Sequence, residues 1–170
     1  MKILHIADMT EFHIKIDSVI YRSVVEENKI DGVSSFLYSS SVTDNKNEFI
    51  LGGDLNIKEF IKNEMPDLVI FHSLYKLNNL KIYPLLKSLN IKYAIRPHGS
   101  LSRAVFKKNL LKKTFFNLLF FNRFIKNASG IIFLSKGEMK QSFFRNGKNI
   151  FLPNMIDIKI LESNMEKKTE

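Results

Sequence analysis

Pro97-His98-Gly99-Ser100 is the segment of this sequence best suited to chemistry. A neutral imidazole offers one donor and one acceptor nitrogen, and a glycine beside it lets the backbone come close to a ligand. His98 is therefore the leading candidate for a functional contact, with Gly99 and Ser100 as substrate-binding neighbours. His72 ends the apolar run Asp67-Leu68-Val69-Ile70-Phe71 and admits two readings: a core histidine with a satisfied ring, or a ligand contact. Ser135 and Lys136 follow Gly130-Ile131-Ile132-Phe133-Leu134, and Thr10 and His13 follow the opening run Lys2-Ile3-Leu4-His5-Ile6-Ala7. Histidines, hydroxyls and a lysine gathered on one edge suit sugar hydroxyls or phosphate oxygens.

A second stretch has a different chemistry. Residues 103–126 read RAVFKKNLLKKTFFNLLFFNRFIK, with Lys107, Lys108, Lys112 and Lys113 paired along the first half beside Arg103. Phenylalanines and leucines crowd the second half. A helix of this composition fits a membrane interface, its cations on headgroups and its aromatics below them. Each basic residue near an anionic leaflet is worth about 1 kcal/mol. The competing reading is a helix whose aromatic half is buried against a sheet while its lysines are solvated.

The elements that must carry these residues are legible from hydrophobic period. Continuous apolar runs at 2–7, 33–39, 48–51, 67–72, 92–96, 130–134 and 149–152 read as strands, because strands covered on both faces lose the polar alternation. Helical-period segments lie between them: one through Val19, Ile20, Val24 and Val25, and one capped by Asp54 and stopped by Pro66. A third, at 77–89, is expected to kink or split at Pro84. A long one spans 103–127, and one opens at Ser135. Alternating strands and helices predict a single α/β domain, Rossmann-like, with a mostly parallel sheet covered by helices on both faces. In such sheets ligands sit at the carboxyl ends of the strands, where the candidates above fall. The domain is expected over residues 1–157, with 158–170 a charged tail.

Composition narrows the function. The chain has 170 residues and no cysteine, which excludes disulfides, thiol catalysis and cysteine-ligated zinc. Its four histidines are far apart in sequence and give no support for a metal site. No apolar run reaches the roughly 20 residues of a spanning helix, and the amino terminus lacks a signal-peptide pattern. A cytoplasmic protein, peripheral on the inner face of the membrane, is the expectation. The formal charge is +9, and no acidic residue lies between Asp67 and Glu138. Such clustering points to an anionic partner. Nucleic acid is disfavoured, since no recognition motif is present and the aromatics are not set out for base stacking.

Taken in order, MKILHIAD, PDLVIFHS, YAIRPHGSL, NASGIIFLSKGE and NIFLPNMID resemble the N-terminal, acceptor-side domain of family 4 retaining glycosyltransferases of the GT-B fold. The Pro-His-Gly-Ser-Leu variant is most similar to enzymes of capsular, exopolysaccharide or lipopolysaccharide synthesis. The resemblance implies one half of a GT-B fold and a nucleotide-sugar donor as substrate, with no cofactor. It further implies a lipid-linked or polysaccharide acceptor, and His98 against the donor sugar. It also implies a second domain, so that this half is inactive alone and is one half of a split enzyme whose other half is a separate chain, a truncated gene product, or a fragment. The sequence departs from the family at the first loop, where Met9-Thr10-Glu11-Phe12 replaces paired glycines, and at Asn154-Met155. A non-catalytic membrane-binding or scaffolding module that keeps the fold is the alternative.

Overall fold

The computed structural model describes residues 1–7, 19–42, 48–53, 55–74, 76–99, 121–142 and 148–154. Along the chain these form β1 (Lys2–Ile6), α1 (Val19–Glu27), β2 (Ser34–Tyr38), β3 (Ile50–Leu51), α2 (Ile57–Glu64) and β4 (Leu68–His72). They continue with α3 (Leu77–Ser88), β5 (Lys92–Arg96), α4 (Asn122–Lys126), β6 (Gly130–Phe133), α5 (Lys136–Gln141) and β7 (Asn149–Phe151). The seven strands make one sheet in the order β3-β2-β1-β4-β5-β6-β7, and every neighbouring pair is parallel. The expected α/β class and parallel sheet are therefore present. The order reverses between β1 and β4, the place where open sheets of this kind form a crevice.

Side chains alternate across each strand, and the two faces differ. Leu4, Ile6, Val69, Phe71, Tyr93, Ile95, Ile131 and Phe133 bury against Ile61 of α2, Ile82 and Leu86 of α3, and Phe121, Phe124 and Ile125 around α4. The opposite parity puts Ala7 and Leu37 with Val24 of α1, and Ile3, Ile70, Ala94 and Ile132 together beside them. Helices thus pack on both faces. At the β6–β7 edge the strands close tightly: a Cβ on Gly130 would lie 2.9 Å from Ile150 Cδ1 and 3.2 Å from the Lys148 carbonyl.

One expectation about a helix end is corrected. The N-cap of α2 is Asn56, not Asp54: its side-chain oxygen accepts from the Glu59 amide at 3.4 Å, leaving the first turn two residues later. The helix stops as expected before Pro66, with Met65 in the left-handed region and its amide on the Ile61 carbonyl. α3 runs as a single helix through Pro84. Proline removes one internal hydrogen bond, yet Ile82 before it and Leu86 after it are buried in the same core. That shared burial holds both halves in one helix.

The Lys- and Phe-rich stretch is described only from Phe121 onward. There Phe121, Phe124 and Ile125 are buried while Arg123 and Lys126 are exposed, so this end covers the sheet. Arg103, Lys107, Lys108, Lys112 and Lys113 lie outside the described residues, as do Thr10, His13, Ser100 and the tail from 155. No helix among the described residues is long and apolar enough to cross a membrane.

Candidate functional site

Three of the four histidines meet on the α1 face of the sheet. His5 Nδ1 lies 2.9 Å from His72 Nε2, and His72 Nδ1 lies 2.9 Å from His98 Nε2. The rings meet edge to edge, with centroids 5.1 Å and 5.2 Å apart and planes inclined by 25° and 28°. At the inner end, His5 Nε2 is 2.9 Å from Glu27 Oε2, and Ser35 Oγ donates to the same oxygen at 2.6 Å. A continuous line of hydrogen bonds therefore runs from a carboxylate to His98.

Strand parity and register build this line. His5 sits between Ile3 and Ala7 on its face of β1, and His72 is two residues past Ile70, the register partner of His5. Parallel strands β1 and β4 thus hold the two rings one step apart along the crevice. Glu27 is the last residue of α1, and Asn28 fixes that helix end to β2. The Asn28 side chain donates to the Val24 and Ser35 carbonyls and accepts from the Ser35 amide, each within 2.9 Å. His98 arrives from a turn after β5. Its φ is +48°, and Gly99 follows at +78°. A side-chain-bearing residue rarely holds such a conformation, and where it does the site is often functional.

Burial differs along the line. His5 and His72 are 1% and 3% exposed, whereas His98 is surface-exposed with one ring edge against His72. Burial of His72, with the neighbouring His5, His98 and Arg96 charges, holds its pKa well below the usual histidine range. Desolvation of the inner edge of His98 lowers that ring too; Arg96 reinforces the shift and Glu138 opposes it. For Glu27, burial would raise the carboxyl, but the His5 and Ser35 hydrogen bonds and the Arg96 charge together bring it below its ordinary value. The ground arrangement is an ionised Glu27 facing neutral outer histidines.

Arg96 and Glu138 frame the outer end. Arg96 is buried, and its Nη2 donates to Asn154 Oδ1 at 3.1 Å and to the Leu152 carbonyl at 3.3 Å. Its Nε has no hydrogen-bond partner among the described residues, and burial lowers its pKa against the opposing pull of Glu27 and Glu138. Glu138 accepts from the Gly99 amide at 2.5 Å and from the Leu134 amide at 2.7 Å, tying the His98 turn to the end of β6. Ser135 caps α5, its oxygen accepting from the Glu138 amide at 2.9 Å. Lys136 opens that helix and is exposed.

His72, His98 and Gly99 are thus brought together, with Ser135 and Lys136 on the next strand end; Thr10, His13 and Ser100 fall outside the described residues. Sequence reasoning missed His5, Glu27, Ser35, Arg96 and Glu138. The available signal was parity: His5, His72 and Arg96 share the sheet face of Ile3, Ile70 and Ala94. No group of three or more His, Asp or Glu among the described residues is arranged to hold a metal ion.

Neither a protein-family profile nor a curated protein matches this sequence. Among solved structures, the fold matches a UDP-GlcNAc 2-epimerase from Neisseria meningitidis, determined bound to UDP-GlcNAc, with a TM-score of 0.60 at 12% identity. The match covers 99% of this chain and 52% of the epimerase chain. The chain therefore spans about half the length of that protein and has the fold of one Rossmann-like half of a GT-B-like enzyme.

Proposed function

We propose that this chain is the acceptor-side half of a nucleotide-sugar enzyme, a retaining glycosyltransferase working at the inner face of the cell membrane. The observation that carries the reading is the His98–Gly99 turn. It stands at the carboxyl end of β5, in a left-handed conformation, with an exposed imidazole backed by a hydrogen-bonded line. Such an edge suits a sugar held by its hydroxyls. The sequence resemblance supplies the reaction: transfer of a glycosyl group from a nucleotide-sugar to a lipid-linked or polysaccharide acceptor. A second domain contributes the opposing wall of the cleft, and with it most of the charge stabilisation that such transfer needs.

The test has two stages. The 170-residue chain alone is expected to bind UDP-sugars weakly and to transfer nothing. Joined to a compatible second domain after Asp157, it is expected to release the nucleoside diphosphate only when an acceptor is present. His98→Ala in that assembly lowers turnover about a hundredfold, the scale of one lost preorganised contact. Robust transfer by the chain alone overturns the half-site reading.

The match to an epimerase favours a second reading, in which the assembled enzyme changes the configuration of the sugar while it remains on the nucleotide. Conversion without any acceptor separates the two. Membrane docking through Arg103, Lys107, Lys108, Lys112 and Lys113 belongs to the same proposal, and to its non-catalytic alternative, a scaffolding module. Replacing the four lysines by Gln should abolish most salt-sensitive sedimentation with anionic vesicles. Undiminished sedimentation removes the docking role.

A further inference from the structure

Hydrogen-bonded histidine rings cannot choose their tautomers independently. A neutral imidazole carries one proton, so a donor at one nitrogen forces an acceptor at the other. An ionised Glu27 only accepts, which puts a proton on His5 Nε2. A neutral His5 then presents a bare Nδ1, and His72 must donate to it from Nε2. His72 is left with a bare Nδ1, so His98 donates from Nε2 and ends with a lone pair on Nδ1. That last nitrogen has no hydrogen-bond partner among the described residues, and His98 as a whole is exposed. One carboxylate at the far end thus sets the chemistry of an exposed residue, the third ring along the line.

We propose that Glu27, His5, His72 and His98 form a proton relay in which one proton taken up at the sheet edge reverses both ring-to-ring hydrogen bonds and turns His98 Nδ1 from acceptor to donor. The balance is simple. A proton from solvent binds His98 Nδ1, and the His98 Nε2 proton passes to His72 Nδ1. The His72 Nε2 proton passes to His5 Nδ1. His98 and His72 finish neutral, each now protonated on Nδ1. His5 finishes as an imidazolium paired with the Glu27 carboxylate. One proton has entered, and the positive charge has come to rest two rings away from the point of entry.

The surroundings favour that resting place. His5 touches the line's own carboxylate, which Ser35 Oγ also holds in position. His72 faces Arg96 and two other imidazoles, all of which oppose a charge on it. At His98, Arg96 opposes a charge and Glu138 favours one, but both Glu138 oxygens already accept backbone amides. Tyr38 and Lys76 line the small cleft beside His72. Glu27, His5 and His72 are accordingly positioning residues that act through His98.

The relay stands on the hydrogen-bond geometry and the charges around it, whereas its meaning for a ligand rests on the nucleotide-sugar reading. An acceptor Nδ1 matches a sugar hydroxyl, and a donor Nδ1 matches a phosphate oxygen. The edge would then change which part of a nucleotide-sugar it prefers with each proton gained or lost.

The experiment uses the ligand-free chain labelled with nitrogen-15 in histidine, where two-bond nitrogen–proton spectra report each ring's tautomer. Above about pH 8, well clear of the ordinary histidine range, His5, His72 and His98 are all expected as Nε2–H tautomers. On acidification, His72 and His98 should switch to Nδ1–H at one shared midpoint, the same at which His5 gains its second proton. Glu27→Gln should lower that midpoint by about one pH unit or more, since it removes the charge that holds the proton, and should leave His98 a mixture of tautomers in the alkaline form. In a His72→Phe background the same Glu27→Gln change should have no effect on His98. A merely structural role would alter stability in these variants without moving the His98 tautomer. Separate midpoints for the three rings in the unsubstituted chain overturn the relay, whether or not any variant folds. An unchanged His98 in folded Glu27→Gln overturns it equally. Neither result bears on whether the chain binds a nucleotide-sugar, so the two proposals fail separately.

Discussion

The two faces of the sheet are held by different forces. On the face covered by α2, α3 and α4, Phe71 meets Tyr93 and Phe124 edge-on at 5.8 Å and 5.1 Å, and Tyr93 stacks on Phe124 at 5.2 Å. A polar tip on that face, Tyr93 Oη, donates to the Phe124 carbonyl at 2.5 Å; burial, with the nearby Tyr83, raises its pKa, so it stays a neutral phenol. On the α1 face, Ser35, His5 and His72 are equally buried yet polar, and each is stable only because a partner meets it. Burial on the first face is non-directional and tolerates changes of shape if volume is kept. Burial on the second is conditional on hydrogen bonds, and a missing partner costs more than a missing contact of the same size. The first face supplies stability, and the second can carry information.

Three substitutions, the last read through a pH titration, probe that contrast. The largest effect is expected from Phe71→Ala, which empties a fully buried aromatic site at the centre of the cluster. Its cost should be about 3–5 kcal/mol in denaturant unfolding, with the histidine tautomers of the folded fraction unchanged. A tautomer change there would mean that the faces are coupled through the sheet. Ser35→Ala is expected to cost less, about 1.5–3 kcal/mol, by removing one short hydrogen bond to an ionised carboxylate. Unlike Phe71→Ala, it should disturb the His5 signals.

The smallest effect is the pH dependence. His72 has a folded pKa well below its ordinary value of 6.5, so the unfolded chain binds more protons as pH falls past that value. Its contribution is fully present above pH 6.5 and is lost progressively as the solution is made more acidic. The loss from this one group is at most about 1.4 kcal/mol per pH unit of acidification. Glu27, also lowered, adds a loss only in the more acidic range, below its ordinary value of 4.5. A His72→Phe variant should flatten the first part of this profile. A profile that stays equally steep would assign the slope to another group.

Much of the fold was readable because continuous apolar runs such as Leu68–Phe71 have few ways to be buried, and a parallel sheet is the commonest. The Ser135 cap was readable from its place after a strand and three residues before Glu138. Asn56 was missed because Asp54, two residues earlier, is an equally good cap by type, and the choice depends on where the chain turns. The His98–Gly99 turn announced itself by composition. The line behind it did not, since His5 reads as one polar residue in an apolar strand and Glu27 as an ordinary helix end. Their meeting depends on which strands are neighbours and in what register, and neither is a local property. The basic stretch at 103–113 was conspicuous in sequence, yet its position lies outside the described residues.

The histidine line also has a consequence for how the chain reaches this state. Its members are separated by 67 residues between His5 and His72 and by 26 between His72 and His98. Loops of that length close slowly, and parallel pairing rewards the chain only after they have closed. A slip of one residue between β1 and β4 would carry His5 to the aromatic face, away from its hydrogen-bond partners. The ring contacts can therefore form only after the central strands are in register, late in folding. Histidine resonances would then serve as a clock for the last step of assembly, appearing together after the aromatic core has already collapsed.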